Sequence, residues 1–291
     1  MFRGRSNAES GAAVLAPWLR DWAILRVGDM RYRPAVVEFR DDFDLPQLDE
    51  SVWFPYYLPA WSSRALTRAS YRIAESQLRL FISIDRGLWC ADDHPEPIRV
   101  SGIQSGSYSG AVGTTAGQQR FRDDLRVREK QPRFEGWLPS SGTVAIRCRM
   151  QLSPRSMAAM WLSGFEEHPD DSGEICVVEV FGRGVEEDHS AEVGVGVKKL
   201  HDPHLVHDFV TSRVEIDVSE FHTYAVAWNG EVADFFVDDM QVHSCSAPPT
   251  YALQAMLAVF DFPGWSAGDD DHLEPSFDID WVAGGPVPTR H

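Results

Sequence analysis

What most constrains this chain is a rhythm of short segments in which apolar and polar residues alternate. Stretches at 77–84, 143–150, 174–181, 191–199, 224–228, 233–237 and 276–282 are rich in β-branched and aromatic residues. Clusters of Gly, Pro, Asn, Asp and Ser separate them. Successive side chains of a strand point to opposite faces, so such segments read as half-buried strands. Their recurrence, with almost no sustained 3.6-residue periodicity, predicts an all-β sandwich or barrel. Asn229-Gly230, between two of these strands, reads as a hairpin turn. The 291 residues would suggest two domains by length alone, but β-sandwiches run to roughly 250 residues as one. The expected organisation is an N-terminal extension at 1–34, one sandwich domain at 35–285 and a tail at 286–291. Within the domain, 114–140 reads as a long polar surface connection over one rim.

Charge and cysteine content narrow the partners. With 27 Lys and Arg against 44 Asp and Glu, the net charge is −17, which argues against nucleic acid and anionic membranes. No apolar run approaches the roughly 20 residues of a membrane span. The short one near Leu15 contains Pro17 and lacks a cleavage site, so it makes a poor signal peptide. On that ground the cytoplasm is favoured over secretion. Cys90, Cys148, Cys176 and Cys245 are far apart with no CxxC pair, so zinc-ribbon and thioredoxin readings fail and free thiols are expected. An acidic chain with ten Trp suits neutral ligands, sugars above all. The expectation is a monomer acting on a polysaccharide or oligosaccharide.

Chemistry concentrates at 173–182, Gly-Glu-Ile-Cys-Val-Val-Glu-Val-Phe-Gly. Strict alternation would put Glu174 and Glu179 on opposite faces and force one carboxylate into the core, at high cost. One extra residue, a β-bulge near Val177-Val178, returns Glu179 to the face of Glu174. Two carboxylates so placed approach the roughly 5–5.5 Å separation of a retaining glycosidase pair. From spacing alone, a strand whose two Glu merely face solvent stands as the alternative. Gly106-Ser-Tyr-Ser-Gly110 has Tyr108 where a nucleophile elbow needs Ser, and Gly194-x-Gly196 lacks the rest of a dinucleotide fingerprint.

The segment resembles the signature of glycoside hydrolase family 16, of laminarinase type: Glu-Ile-Asp-x-x-Glu after a Gly. Other pieces match in order. Asp42-Phe43-Asp44, Leu48-Asp49 and Trp53 resemble the family's amino-terminal part, and Gln77-Leu78-Arg79-Leu80 its next strand. Ala159-Met160-Trp161-Leu162 stands where the family has a Trp-bearing cleft strand. The run from Phe221 to Trp228 with Phe236-Val237-Asp238 is similar to its back-sheet hairpin, and Asp278-Ile279-Asp280-Trp281-Val282 to its closing strand. The resemblance covers 38–283. It implies a concanavalin-like jelly roll of two antiparallel sheets with an open concave cleft for a β-glucan. It also implies retaining, endo-acting chemistry of the β-1,3-glucanase kind, with Glu174 as nucleophile and Glu179 as acid/base. A covalent intermediate also allows transglycosylation.

Three departures qualify that implication. Cys176 replaces the middle Asp, a charged group exchanged for a weak hydrogen-bonding thiol. With less like-charge repulsion at the acid/base, the expectation is a slower enzyme with an activity profile shifted to acid. A non-catalytic carbohydrate-binding protein on the same fold is the alternative. Met157 stands where a second Trp is usual, and the strand at 191–199 lacks the family's frequent His. Trp161 and Trp265 are the expected sugar-stacking residues, with Trp137 as a substitute platform, whereas Trp53, Trp228 and Trp281 read as core. No cofactor is required. The resemblance implies a structural Ca²⁺ held through Asp280. His201, His204 and His207, and the acidic run Asp269-Asp270-Asp271, read as loops.

Overall fold

The structure is a computed structural model that describes residues 38–187, 189–238, 240–268 and 273–286. The extension at 1–34, the acidic run at 269–271 and residues 287–291 of the tail lie outside the described residues. The regular structure is almost entirely β-strands. In order they are β1 (Phe39–Asp41), β2 (Tyr71–Ala74), β3 (Gln77–Phe81), β4 (Arg99–Gln104), β5 (Gly106–Ser107) and β6 (Phe134–Glu135). There follow β7 (Gly142–Gln151), β8 (Ser156–Gly164), β9 (Glu174–Phe181), β10 (Val185–Glu186), β11 (Ser190–Lys198) and β12 (Asp208–Val214). The last are β13 (His222–Trp228), β14 (Val232–Val237), β15 (Met240–Ser246), β16 (Leu253–Asp261) and β17 (Ser276–Gly285).

Two antiparallel sheets face each other as the jelly-roll sandwich. The back sheet runs β15-β14-β13-β7-β17-β3-β2 with β1 added on β17. The front sheet runs β10-β11-β9-β8-β16-β4 with β12 paired to β11. Alternation divides each front strand between two environments. On β16, Leu253, Ala255, Leu257 and Val259 face the inter-sheet core, while Met256, Ala258 and Phe260 face outward. The back sheet supplies Leu78, Ile146, Tyr224, Phe235 and Phe277 to the same core, all essentially inaccessible. Each such side chain contributes roughly 1.5–3 kcal/mol by leaving water. Trp53, Trp228 and Trp281 are buried, as their place in alternating strands indicated.

The 229–230 hairpin forms, but by another device than a primed turn. Neither residue adopts positive φ. Instead the Asn229 side-chain oxygen accepts from the amides of Glu231 and Val232, and Asn229 N–H donates to the Val232 carbonyl. The outward face of the front sheet is not bare along its whole width. Leu58, Trp61, Trp89, Leu125 and Val127 pack with Val100, Ala258 and Phe260. They come from three loops, and Asp93, paired with Arg122 at 3.2 Å and Arg128 at 2.5 Å, fastens two of these together. The polar-looking 114–140 connection thus supplies part of this cover. Among the described residues no helix is long and apolar enough to cross a membrane.

Candidate active site

Strand β9 lies mid-sheet between β8 and β11, and its register shows how the two Glu come together. Against β8, Ser163 faces Glu174, Trp161 faces Cys176, Met160 faces Val178 and Ala159 faces Glu179, so Val177 has no partner. Against β11, Lys198 faces Glu174, Gly196 faces Cys176 and Gly194 faces Glu179, skipping the same step. The bulge therefore sits at Val177-Val178, and both valines point into the core. Residues directly opposite share a face. Glu174, Cys176 and Glu179 accordingly join Ser163, Trp161, Lys198 and the two glycines on the outward face. Tyr251, whose hydroxyl accepts from Gly173 N–H at 2.7 Å and donates to Asp202 at 2.8 Å, pins the start of the strand.

Lys198 is the residue that sequence reasoning missed. Its ammonium donates to Glu179 Oε2 at 2.7 Å and lies 3.5 Å from Glu174 Oε1. Those two oxygens are therefore no more than about 6 Å apart, short of the roughly 6.5–9.5 Å of inverting pairs. Ser163 Oγ donates to the other Glu174 oxygen at 2.7 Å, and Trp161 Nε1 to Glu179 at 3.2 Å. Only about a tenth of each Glu side chain is exposed. Burial raises the Glu174 carboxyl above its ordinary range, against the opposing pull of Lys198 and Ser163. Burial works against the Lys198 charge, but the Glu174 and Glu179 carboxylates outweigh it and hold the ammonium more firmly protonated than a free lysine. Tyr57, also missed, is kept a neutral phenol by burial first and by the Glu174 charge second.

Cys176 is inaccessible and free, its thiol directed at the Gly194 carbonyl 3.6 Å away. Burial drives its pKa well up, so it brings a neutral thiol to the place of a carboxylate. Gly194 and Gly196 are bare for a reason. A Cβ on Gly194 would lie 2.6 Å from the Phe209 ring. One on Gly196, at φ +134°, would lie 2.2 Å from the Asp208 carbonyl oxygen. Phe209 faces Gly196 across the β11–β12 pair and carries Lys198 Nζ 4.6 Å from its ring centre.

The other expected site residues fall differently. Trp161 is buried, 7% exposed, and orients Glu179 rather than offering an open platform. Trp265 is half-buried beside the end of β9. It is stacked on Phe262 at 4.3 Å, with the Arg183 guanidinium 4.3 Å from the ring centre. Trp137 does not join the group: it stacks on Phe39 at 4.1 Å and packs against Gly284, where β1 meets β17 of the back sheet. Its aromatic face is used in closing that sheet, so the substitute-platform expectation is corrected. The Asp280 carboxylate, expected from the resemblance to hold Ca²⁺, is paired with Arg147 at 2.6 Å. His201 Nε2 donates to the Arg120 carbonyl at 2.9 Å, a contact between loops.

Comparison with known proteins turns on 139–283, which run from β7 into β17 and contain the whole carboxylate strand. These residues match the model of glycosyl hydrolases family 16. The chain belongs to this family. Family 16 relatives are distant in sequence. The Crh-like protein CRH12 of Candida albicans is 29% identical over 110 residues, 38% of this chain and 21% of its own length. Xyloglucan endotransglucosylase/hydrolase protein 31 of Arabidopsis thaliana is 25% identical over 114 residues, 37% of this chain and 39% of its own. The match thus spans well under half of either curated relative. Among solved structures, a GlcNAcα1-4Gal-releasing endo-β-galactosidase from Clostridium perfringens superposes with a TM-score of 0.71. It covers 89% of this chain and 64% of that one at 22% identity. The laminarinase from Flavobacterium sp. UMI-01 gives 0.56, at 17% identity over 86% and 99%. Both share the jelly roll. The family is one of glycosyl hydrolases.

Proposed function

We propose that the chain is a retaining, endo-acting glycoside hydrolase on β-glucan, of the β-1,3-glucanase kind, with Glu174 as nucleophile and Glu179 as acid/base. The observation that carries this reading is the single ammonium touching both carboxylates, which brings their oxygens within about 6 Å on the outward face of the front sheet. Glu174, held by Ser163, attacks the anomeric carbon and forms the glycosyl-enzyme bond as the leaving oxygen departs. Glu179, oriented by Trp161, gives that oxygen its proton and then takes one from the incoming water or sugar hydroxyl. A sugar acceptor instead of water gives transglycosylation. Lys198 supplies the positive charge that a proton on Glu179 would otherwise supply. For the acid step Lys198 swings aside and Glu179 takes up a proton from solvent before giving it to the leaving oxygen.

The same ion pair favours a second reading, a carbohydrate-binding protein that does not cut. A general acid must carry a proton, and Lys198 at 2.7 Å opposes that while Cys176 adds no compensating charge. Reducing-end release from laminarin, from mixed-linkage glucan and from a β-galactan discriminates the two. Wild type should release ends from laminarin with β-configured products. Glu179→Gln should lose about 10²–10⁴-fold, the usual worth of a general acid–base, and Glu174→Gln should abolish release. Oligosaccharide binding with negligible release in wild type and Glu174→Gln alike would establish the second reading.

A further inference from the structure

Away from the carboxylate pair, three metal-ligating side chains converge where the two sheets come to their free edges. Asp208 opens β12, which forms an edge of the front sheet, and β15 is the edge strand of the back sheet. His243 and Cys245 stand two apart on β15 and so share a face. Their partners on β14, Phe235 and Ala233, are core residues, so that face looks into the sandwich. The ligand atoms of Asp208, His243 and Cys245 lie within 4.8 Å of one another. His243 Nε2 is already 2.9 Å from Asp208 Oδ1, and the Cys245 thiol points at the Asp208 backbone oxygen, 3.2 Å away.

We propose that Asp208, His243 and Cys245 form a site for a divalent transition metal of the zinc type, which straps the free edge of one sheet to that of the other. One sulfur, one imidazole nitrogen and one carboxylate oxygen make a donor set suited to Zn²⁺ and Co²⁺. Ca²⁺ and Mg²⁺ want oxygen throughout. Bond lengths of about 2.0–2.3 Å at a tetrahedral ion place donors roughly 3.3–3.8 Å apart. The trio therefore closes by about an ångström at its widest and needs no backbone rearrangement. Water takes the fourth position. Binding forms the metal–sulfur bond and releases the thiol proton to solvent, with no change of oxidation state. A nucleophilic Cys–His–Asp reading fails on access: Cys245 is 2% exposed, and His243 Nε2 is committed to Asp208. The strap would also fix the strand position next to Phe209, the ring beneath Lys198.

The test is titration of Co²⁺ into the metal-stripped, reduced full chain. One equivalent should bind with a sulfur-to-cobalt charge-transfer band and four-coordinate visible bands. Zn²⁺ should bleach them and raise the melting temperature, and Ca²⁺ should do neither. Cys245→Ser should lose the charge-transfer band. His243→Gln and Asp208→Asn should each weaken binding by more than about tenfold, the loss that even an outer partner of a metal ligand can cause. A variant with His201, His204 and His207 all changed to Gln should behave as wild type. Absence of stoichiometric binding overturns the proposal, as does a charge-transfer band that survives Cys245→Ser or vanishes with the three-histidine variant. Should Cys245→Ser fail to fold, His243→Gln decides, because unchanged Co²⁺ affinity there is equally fatal.

Discussion

Replacing Lys198 with Met removes the charge between the two carboxylates while keeping an unbranched side chain of similar length. The ammonium sits 2.7 Å from Glu179 and 3.5 Å from Glu174, and all three side chains are mostly buried. Without it, two carboxylates about 6 Å apart repel by roughly 3 kcal/mol at an effective dielectric near 20. This agrees with the roughly 3–5 kcal/mol cost of breaking one side of a buried ion pair. The variant can relieve the repulsion only by keeping a proton on the pair, so its deficit should grow with pH. In wild type, Lys198 is held protonated above the ordinary lysine range, so its contribution is complete below that range and is lost only as pH rises through its folded pKa. Burial raises Glu174 in both proteins, and that part cancels in the difference; the lowering by Lys198 is lost in the variant, so its Glu174 is raised further and costs more stability as pH climbs past the ordinary carboxylate range. Urea unfolding under reducing conditions should therefore show Lys198→Met weaker by about 3 kcal/mol at pH 8 and by distinctly less at pH 5, with m unchanged. A pH-independent deficit, or a variant as stable as wild type at pH 8, would refute the argument that Lys198 neutralises the pair.

The remaining predictions concern single sites. Cys176→Asp should change both the rate on laminarin and its pH profile, moving the optimum to higher pH, as read from initial rates between pH 4 and 9. His222, 2.9 Å from Asp238, has its pKa raised by that hydrogen bond, so its stabilisation is complete below the ordinary histidine value and lost as pH rises through the folded one. Unfolding of His222→Gln should show a larger deficit at pH 5.5 than at pH 8.5. Burial pushes Glu166 up to about 7, which penalises the ionised form. Glu166→Gln should therefore gain on wild type as pH rises from 5 to 8, measured by melting temperature. Gly196→Ala, at φ +134° with no room for a Cβ, should cost more than about 1 kcal/mol in urea.

Much of the fold could be read from alternation, because strands such as β13 and β14 present one face to a core and one to something different. Strand β16 could not. Leu253 to Asp261 is buried on both faces, by the core and by the loop cover, so the alternating signal vanishes. The edge strands β12 and β15 escaped for the opposite reason, being polar and partly exposed. At the site, the bulge follows from the cost of burying a carboxylate, which is a local argument. Lys198 needed the register between β9 and β11, and that register is set by two glycines and a ring from a third strand. Trp137 and the cover residues Leu125 and Val127 depend on long-range docking that no local pattern encodes.

The Gly194–Gly196–Phe209 arrangement has a bearing on how this site can change by single mutations. The Phe209 ring occupies the volume that a side chain at 194 would need, and the 208–209 backbone the volume that one at 196 would need. A side chain cannot appear at 194 while Phe209 is present, and loss of the ring opens a hollow beneath Lys198. Positions 194 and 209 are therefore coupled in evolution: a side chain at 194 is reached only through loss of the ring, an intermediate less stable than either end point, whereas 196 is closed by backbone whatever stands at 209.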